Sequence, residues 1–193
     1  MEGSANYPSL RKKCVFITGG ATGIGAALVQ AFAQQGSKVA FVDTDADSAT
    51  DLIATLDVEH AAACWFQKVD VTDSRALQTA VADADAALGP LNICINNAAN
   101  DMRQKPAEVT PQSWRDCMAI NLDAAFFAAQ AAARLMAERE GGSIINFSSI
   151  NALLGPRNMP GYVTAKAGIV GMTKALARDY GADDVRVNAI LPG

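Results

Sequence analysis

The sequence predicts an α/β fold: one domain, residues 1–193, built as a doubly wound parallel sheet. Three observations carry this reading. Six short apolar runs of strand length alternate with stretches of helical periodicity along the chain. The first run ends in Thr18-Gly19-Gly20-Ala21-Thr22-Gly23-Ile24-Gly25, a glycine-rich turn that leads directly into a helical pattern. The second run ends at an acid, Asp43, so the opening segment reads strand, glycine turn, helix, strand, acid.

Taken in order, Cys14-Val15-Phe16-Ile17 is the first strand, and a helix follows over about 26–35, stopped by Gly36. Val39-Ala40-Phe41-Val42 is the second strand. A polar helix is expected near 46–56, a third strand over 62–69 running into Asp70-Val71, and a helix over 74–88. Gly89-Pro90 breaks that helix, and Leu91-Asn92-Ile93-Cys94-Ile95 is the fourth strand, ending in Asn96-Asn97-Ala98-Ala99. Pro111 marks the start of a helix running to about 138. Residues 143–147 make the fifth strand, a Gly/Pro-rich connection leads to a helix opened by Tyr162, and 185–190 make the sixth strand.

Composition narrows the function classes. Half the residues are hydrophobic and 19% charged, which supports a real core and excludes a disordered chain. A net charge of −4 argues against a nucleic-acid binder, and Arg11-Lys12-Lys13 is read as solvating the start of a strand. The first ten residues are polar, with no secretory signal. The apolar stretch 124–137 is interrupted by Gln130 and Arg134 and is shorter than the ~20 residues a membrane span needs. Cys14, Cys64, Cys94 and Cys117 form no Cys-x-x-Cys pair and read as reduced core thiols. The expectation is a cytoplasmic protein with no membrane or nucleic-acid partner. Trp65 and Trp114 are read as packing residues.

The chemistry-bearing residues fall into two groups. In the glycine turn, a helix N-terminus with free N–H groups and a positive dipole end suits a pyrophosphate. Gly19, Gly23 and Gly25 supply the turn, the close approach and the tight packing. Asp43 sits where a ribose 2′-hydroxyl acceptor is expected, and its charge would repel a 2′-phosphate; Thr22 offers no cation to hold one. NAD is therefore favoured over NADP, the alternative being that Asp43 merely caps the next turn. In the second group, Tyr162 and Lys166 stand i, i+4 on one helix face. An ammonium that close favours the phenolate and suits a phenol to exchange a proton with an alcohol. Asp43, Asp45 and Asp47 invite a calcium loop, but Ser48 and Ala54 stand where Gly and Glu are required. His60 is the single histidine, so neither a Ser-His-Asp triad nor a histidine-based metal site is built from it.

Thr18-Gly19-x-x-x-Gly23-Ile24-Gly25, Asp70-Val71, Asn96-Asn97-Ala98-Ala99, Asn121, Ser149, Tyr162-x-x-x-Lys166 and Asn188-Ala189-Ile190-Leu191-Pro192-Gly193 occur in the order seen in short-chain dehydrogenases/reductases. The chain resembles that family over nearly its whole length, departing at Ala99, where members usually have Gly. The resemblance implies a Rossmann-type sheet and hydride transfer with NAD. It implies Tyr162 as general acid/base, with Lys166 tuning it and binding the nicotinamide ribose. Ser149, chosen over Ser148 for its spacing to Tyr162, would hold the substrate oxygen, and Asn121 would anchor a relay water. Asp70 and Val71 would flank the adenine and Asn97 would line the cofactor cleft. Ile24, Pro192 and Gly193 complete the implied cofactor contacts.

A finer resemblance is to bacterial aldose 1-dehydrogenases, carried by Tyr7-Pro8-Ser9-Leu10 and by Asn100-Asp101-Met102-Arg103-Gln104-Lys105. It implies a sugar or polyol substrate, which Asn151 would suit and Ala152 and Leu153 would not. A carbonyl reductase of acyl or other hydroxy substrates is the alternative, as is a non-catalytic NAD-binding homologue. A small hydroxy or carbonyl compound is the expected partner, together with further copies of the chain in a homodimer or homotetramer. Apolar faces near 124–133 and 167–176 suit either such pairing or burial against the sheet. Relatives continue beyond the position of Gly193 into a lid, a helix and a last strand. Such a chain is therefore expected to keep the cofactor half and lack part of the substrate cover, with its sixth strand at an edge.

Overall fold

The computed structural model describes residues 5–193; the first four residues of the polar N-terminal stretch lie outside it. Six strands alternate with helices: β1 (Cys14–Thr18), β2 (Lys38–Asp43), β3 (Cys64–Lys68), β4 (Leu91–Asn96), β5 (Gly142–Phe147) and β6 (Val185–Ile190). All pair parallel, in the order β3-β2-β1-β4-β5-β6. The order reverses at β1, whose neighbours are β2 and β4. The connections leaving β1 and β4 therefore diverge to opposite faces and open a crevice at the carboxyl ends.

The helices are α1 (Gly23–Gln34), α2 (Ala46–Ala54), α3 (Val58–Ala62), α4 (Ser74–Leu88), α5 (Pro111–Met118), α6 (Ala124–Ala137), α7 (Asn151–Leu154) and α8 (Pro160–Asp179). Alternation within the strands sorts the core into two layers. Phe16, Cys94 and Ile144 face one side and pack under α4, α6 and α8 through Leu77, Val81, Ala128, Ala132, Met136 and Leu176. Val15, Ile17, Phe41 and Ile95 face the other, under Val29 and Ala33 of α1 and Ala49 and Leu52 of α2. The alanine face of α6 is thus buried within the chain, against α4 and the sheet.

Several boundaries differ from expectation for local reasons. β3 starts at Cys64 because residues 58–62 turn into α3, which carries His60. The helix expected from Pro111 to about 138 is interrupted at Ala119–Asp123 by a π turn between α5 and α6. Pro111 begins it behind a capping box in which Thr110 and Ser113 satisfy each other's N–H groups. All four cysteines are free thiols, Cys14 and Cys94 buried in strands. No helix among the described residues is long and apolar enough to cross a membrane.

Candidate active site

At the carboxyl end of β1 the backbone turns through Gly19 at φ +66° and enters α1 through Gly23 at φ +55°. A side chain on Gly25 would bring its Cβ 1.8 Å from the Gly19 carbonyl oxygen, so only glycine lets the helix start this close to the turn. At the Cβ position of Gly23 no neighbouring residue comes within 4 Å, so the space beside it is open. The turn is tied down on both sides. Asp43 Oδ2 accepts the Ala21 N–H at 3.0 Å, and the Asn97 amide donates to the Gly19 carbonyl at 2.9 Å and to that of Thr18 at 3.1 Å. Thr18 Oγ1 in turn accepts the N–H groups of Asn97 and Ala98.

Beside this turn runs a groove of about 360 Å³ lined by Gly19, Thr22, Ile24, Asp43, Asp70, Val71 and Asn97, all expected, together with Thr44, Val69, Ala98, Ala99 and Ile120. Asp43 Oδ1 also accepts the Asp45 N–H at 3.1 Å, so it caps the following turn and borders the groove at once. A carboxylate offers about four acceptor sites, so capacity remains for a ligand hydroxyl. Asp70 caps its own turn by accepting from the Thr72 N–H and hydroxyl.

Tyr162 stands in the first turn of α8, with Lys166 one turn on and its Nζ 5.7 Å from the Tyr162 ring centroid. Lys166 is buried and donates to the Phe147 carbonyl at 2.8 Å, and this burial lowers its pKa from the ordinary 10.5 to about 8. Ser148 and Ser149 divide clearly. The Ser148 hydroxyl is spent on the Lys166 carbonyl at 2.7 Å, whereas Ser149 Oγ accepts the Asn151 N–H and retains its proton for another acceptor. Asn151 meets Ser149 through its backbone and is absent from the cavity wall described next.

Asn121 lies in the π turn, and its amide grips the backbone of Asn100 at both ends, Oδ1 accepting the N–H and Nδ2 donating to the carbonyl, each at 2.9 Å. Its second amide proton goes to the Cys117 carbonyl, so neither proton is spare for a water. Tyr162 and Asn121 share a cavity of about 130 Å³ with Asn100, Met102 and Gln104 of the expected substrate segment. Ile120 lines both this cavity and the groove, so the two adjoin. Ser149, Pro192 and Gly193 line neither; Pro192 accepts the Ile150 N–H beside the Ser149 turn. Trp114, expected to be a packing residue, is instead exposed on the cavity wall, with Ser113, Asp116, Cys117 and Met159. None of these had a sequence signal: α5 reaches the cavity only through the tertiary fold, and Met159 enters it from the cap of α8.

Known proteins resemble this chain over most of its length. The family model described as short chain dehydrogenase matches residues 13–193. The chain is similar to the probable galactose dehydrogenase of Rhizobium meliloti strain 1021, 47% identical over 190 residues that cover 98% of this chain and 74% of that protein. It is similar to a D-xylose 1-dehydrogenase of Caulobacter vibrioides, 43% identical over 98% of this chain and 75% of the relative. A crystal structure of a candidate short-chain alcohol dehydrogenase from Sinorhizobium meliloti 1021 superposes with a TM-score of 0.89 at 32% identity, covering 95% of this chain and 72% of that one.

Proposed function

The chain belongs to the short-chain dehydrogenase family, and from that premise we propose that it is an NAD-dependent dehydrogenase oxidising an aldose at C1 to the lactone. The observation that carries this reading is the junction at Ile120, where the groove beside the glycine turn meets the cavity that holds Tyr162. The fit to a dinucleotide rests on the open space beside Gly23 and on Gly25, whose lack of a side chain lets the helix N-terminus sit against the turn. The Asp43 carboxylate takes the adenosine ribose hydroxyls and disfavours a 2′-phosphate. Asp70 and Val71 would flank the adenine and Thr22, Ile24 and Asn97 would line the path between, while Pro192 and Gly193, outside both linings, would serve the nicotinamide end. The nicotinamide supplies a hydride acceptor when bound.

The chain's own residues handle the proton and the geometry. Ser149 donates a hydrogen bond to the substrate oxygen and keeps its proton, and Tyr162 takes the proton that leaves the anomeric hydroxyl. Lys166, fixed by the Phe147 carbonyl, places its ammonium beside the Tyr162 ring, from where it would hold the nicotinamide ribose. Asn121 braces Asn100 and so shapes the cavity wall they share with Tyr162; a relay water here would lean on its Oδ1 or on a carbonyl of the π turn. Asn100 and Gln104 put amide groups on this wall, Gln104 Nε2 keeping one proton beyond its bond to the Glu108 carbonyl; such groups suit a polyhydroxy substrate, and a wall so built rejects analogues lacking those hydroxyls. One domain, 1–193, carries all of these groups.

The test is NADH formation across aldoses, polyols, acyl and simple secondary alcohols. An aldose should lead, and Tyr162→Phe should cut turnover by about 10²–10⁴-fold with NAD binding kept. Turnover confined to an aliphatic or acyl substrate would select the carbonyl-reductase reading, and NAD binding without any turnover would select the non-catalytic one.

A further inference from the structure

The cavity beside Tyr162 has an uneven charge distribution. Of the side chains on its wall, Asp116 is the one carboxylate, and no lysine or arginine lines it. The nearby charges lie elsewhere. Asp101, Arg103, Lys105, Glu108 and Arg157 are absent from the lining, with Lys105 and Glu108 paired to each other at 3.4 Å. Arg115, adjacent to Asp116, donates to Gln112 Oε1 at 3.1 Å, and Gln112 Nε2 donates to Asp116 Oδ1 at 2.7 Å. Among the described residues, no cation lies within ion-pair distance of Asp116. The neutral donors and acceptors of Asn100, Gln104 and Ser113 share the same wall.

We infer that Asp116 makes this cavity selective for uncharged polyhydroxy substrates against anionic ones of the same shape. It is a specificity-determining residue at the entrance to the proposed sugar site, and the inference rests on that reading. A carboxylate at an exposed rim acts on encounter and affinity rather than on chemistry, and added salt screens it. Its effect should therefore fall on KM, not kcat.

The experiment compares D-galactose with D-galacturonate, which differ in a neutral CH₂OH against a carboxylate, in the unmodified protein and in Asp116→Asn. Where the uronate is not turned over, its inhibition constant against the neutral sugar gives the same comparison. Quenching of tryptophan fluorescence, with Trp114 on the wall, reports binding independently of turnover. Asp116→Asn should favour the uronate by about fivefold, the factor for a charge pair at contact distance through water. The gain should fade at high salt, and the neutral sugar should change little. Asp101→Asn, which removes the same charge outside the lining, should not move the ratio. An unchanged ratio in Asp116→Asn, or an equal change in Asp101→Asn, overturns the inference while leaving the sugar reading intact. If no aldose or uronate is bound or oxidised by a protein that binds NAD, the sugar reading fails and this inference fails with it.

Discussion

The Asp43 carboxylate accepts the Ala21 and Asp45 N–H groups and still borders the groove, so its charge and its acceptor role can be removed separately. Asp43→Asn keeps an acceptor for the Ala21 N–H and removes the like-charge repulsion. It should raise affinity for NADP relative to NAD by about tenfold or more. Asp43→Ala should loosen the glycine turn and weaken both. Titration of each reduced dinucleotide by fluorescence reads the ratio, and an unchanged ratio in Asp43→Asn removes Asp43 from cofactor choice. Single residues were legible where their role is local. The glycines and Asp43 announce themselves through a strand, turn and helix contiguous in sequence. The Thr18–Asn97 ties span 79 residues, and the cavity wall draws Gln104, Asp116 and Met159 from separate segments. No spacing rule connects such positions.

Elements were legible in kind and less so in their joints. The period of 3.6 shows that residues from Pro111 onward are helical, but the π turn at Ala119–Asp123 adds a residue to one turn without changing composition. That turn is what presents Asn121 and Ile120 to the site. The short helices α3 and α7 escaped because a turn or two of helix leaves no period to detect. The contact of α5 with α8 is equally silent in sequence, and it positions Tyr162. A Cβ on Gly161 would come 2.9 Å from Cys117 Sγ and 3.3 Å from Cys117 Cβ, so Gly161→Ala should force the thiol aside and press the start of α8 away from α5. A displacement of about 1 Å can cost about 10²-fold in rate. We expect at least a tenfold loss of kcat/KM, with NAD affinity held, and recovery in the double variant Gly161→Ala/Cys117→Ala. A loss that the second substitution leaves unrepaired would refute the steric account.

At the scale of the whole molecule, buried titratable groups set how stability varies with pH. Burial lowers the Lys166 pKa from 10.5 to about 8, so between those values the unfolded chain binds more protons and stability rises with pH. The thiols act in the opposite sense. Burial pushes Cys14 and Cys94 up to about 12 and Cys64 to about 11 from 9.0, so above pH 9 the native state holds more protons and stability falls. Lys166→Met isolates the first effect. The stability of the unmodified protein minus that of the variant should climb by on the order of 3 kcal/mol across pH 8–10.5, read from urea midpoints. A flat difference would mean that Lys166 is not desolvated in solution. The strand order was expected only as doubly wound, because parallel pairing depends on contacts between distant segments. One feature then constrains how those segments meet. Asn96 on β4 sits opposite Asn146 on β5, its amide donating at 2.8 Å, and Asn146 donates onward to Thr173 of α8 at 3.0 Å, all three buried. Apolar side chains alone tolerate a two-residue slip between β4 and β5, since the same faces stay inward. The amides do not, because a slip strands buried donors at about 1–3 kcal/mol each. This polar chain thus distinguishes the native alignment from its nearest misfolded neighbour, and it does so on the strands that lead into Asn97 and Ser149.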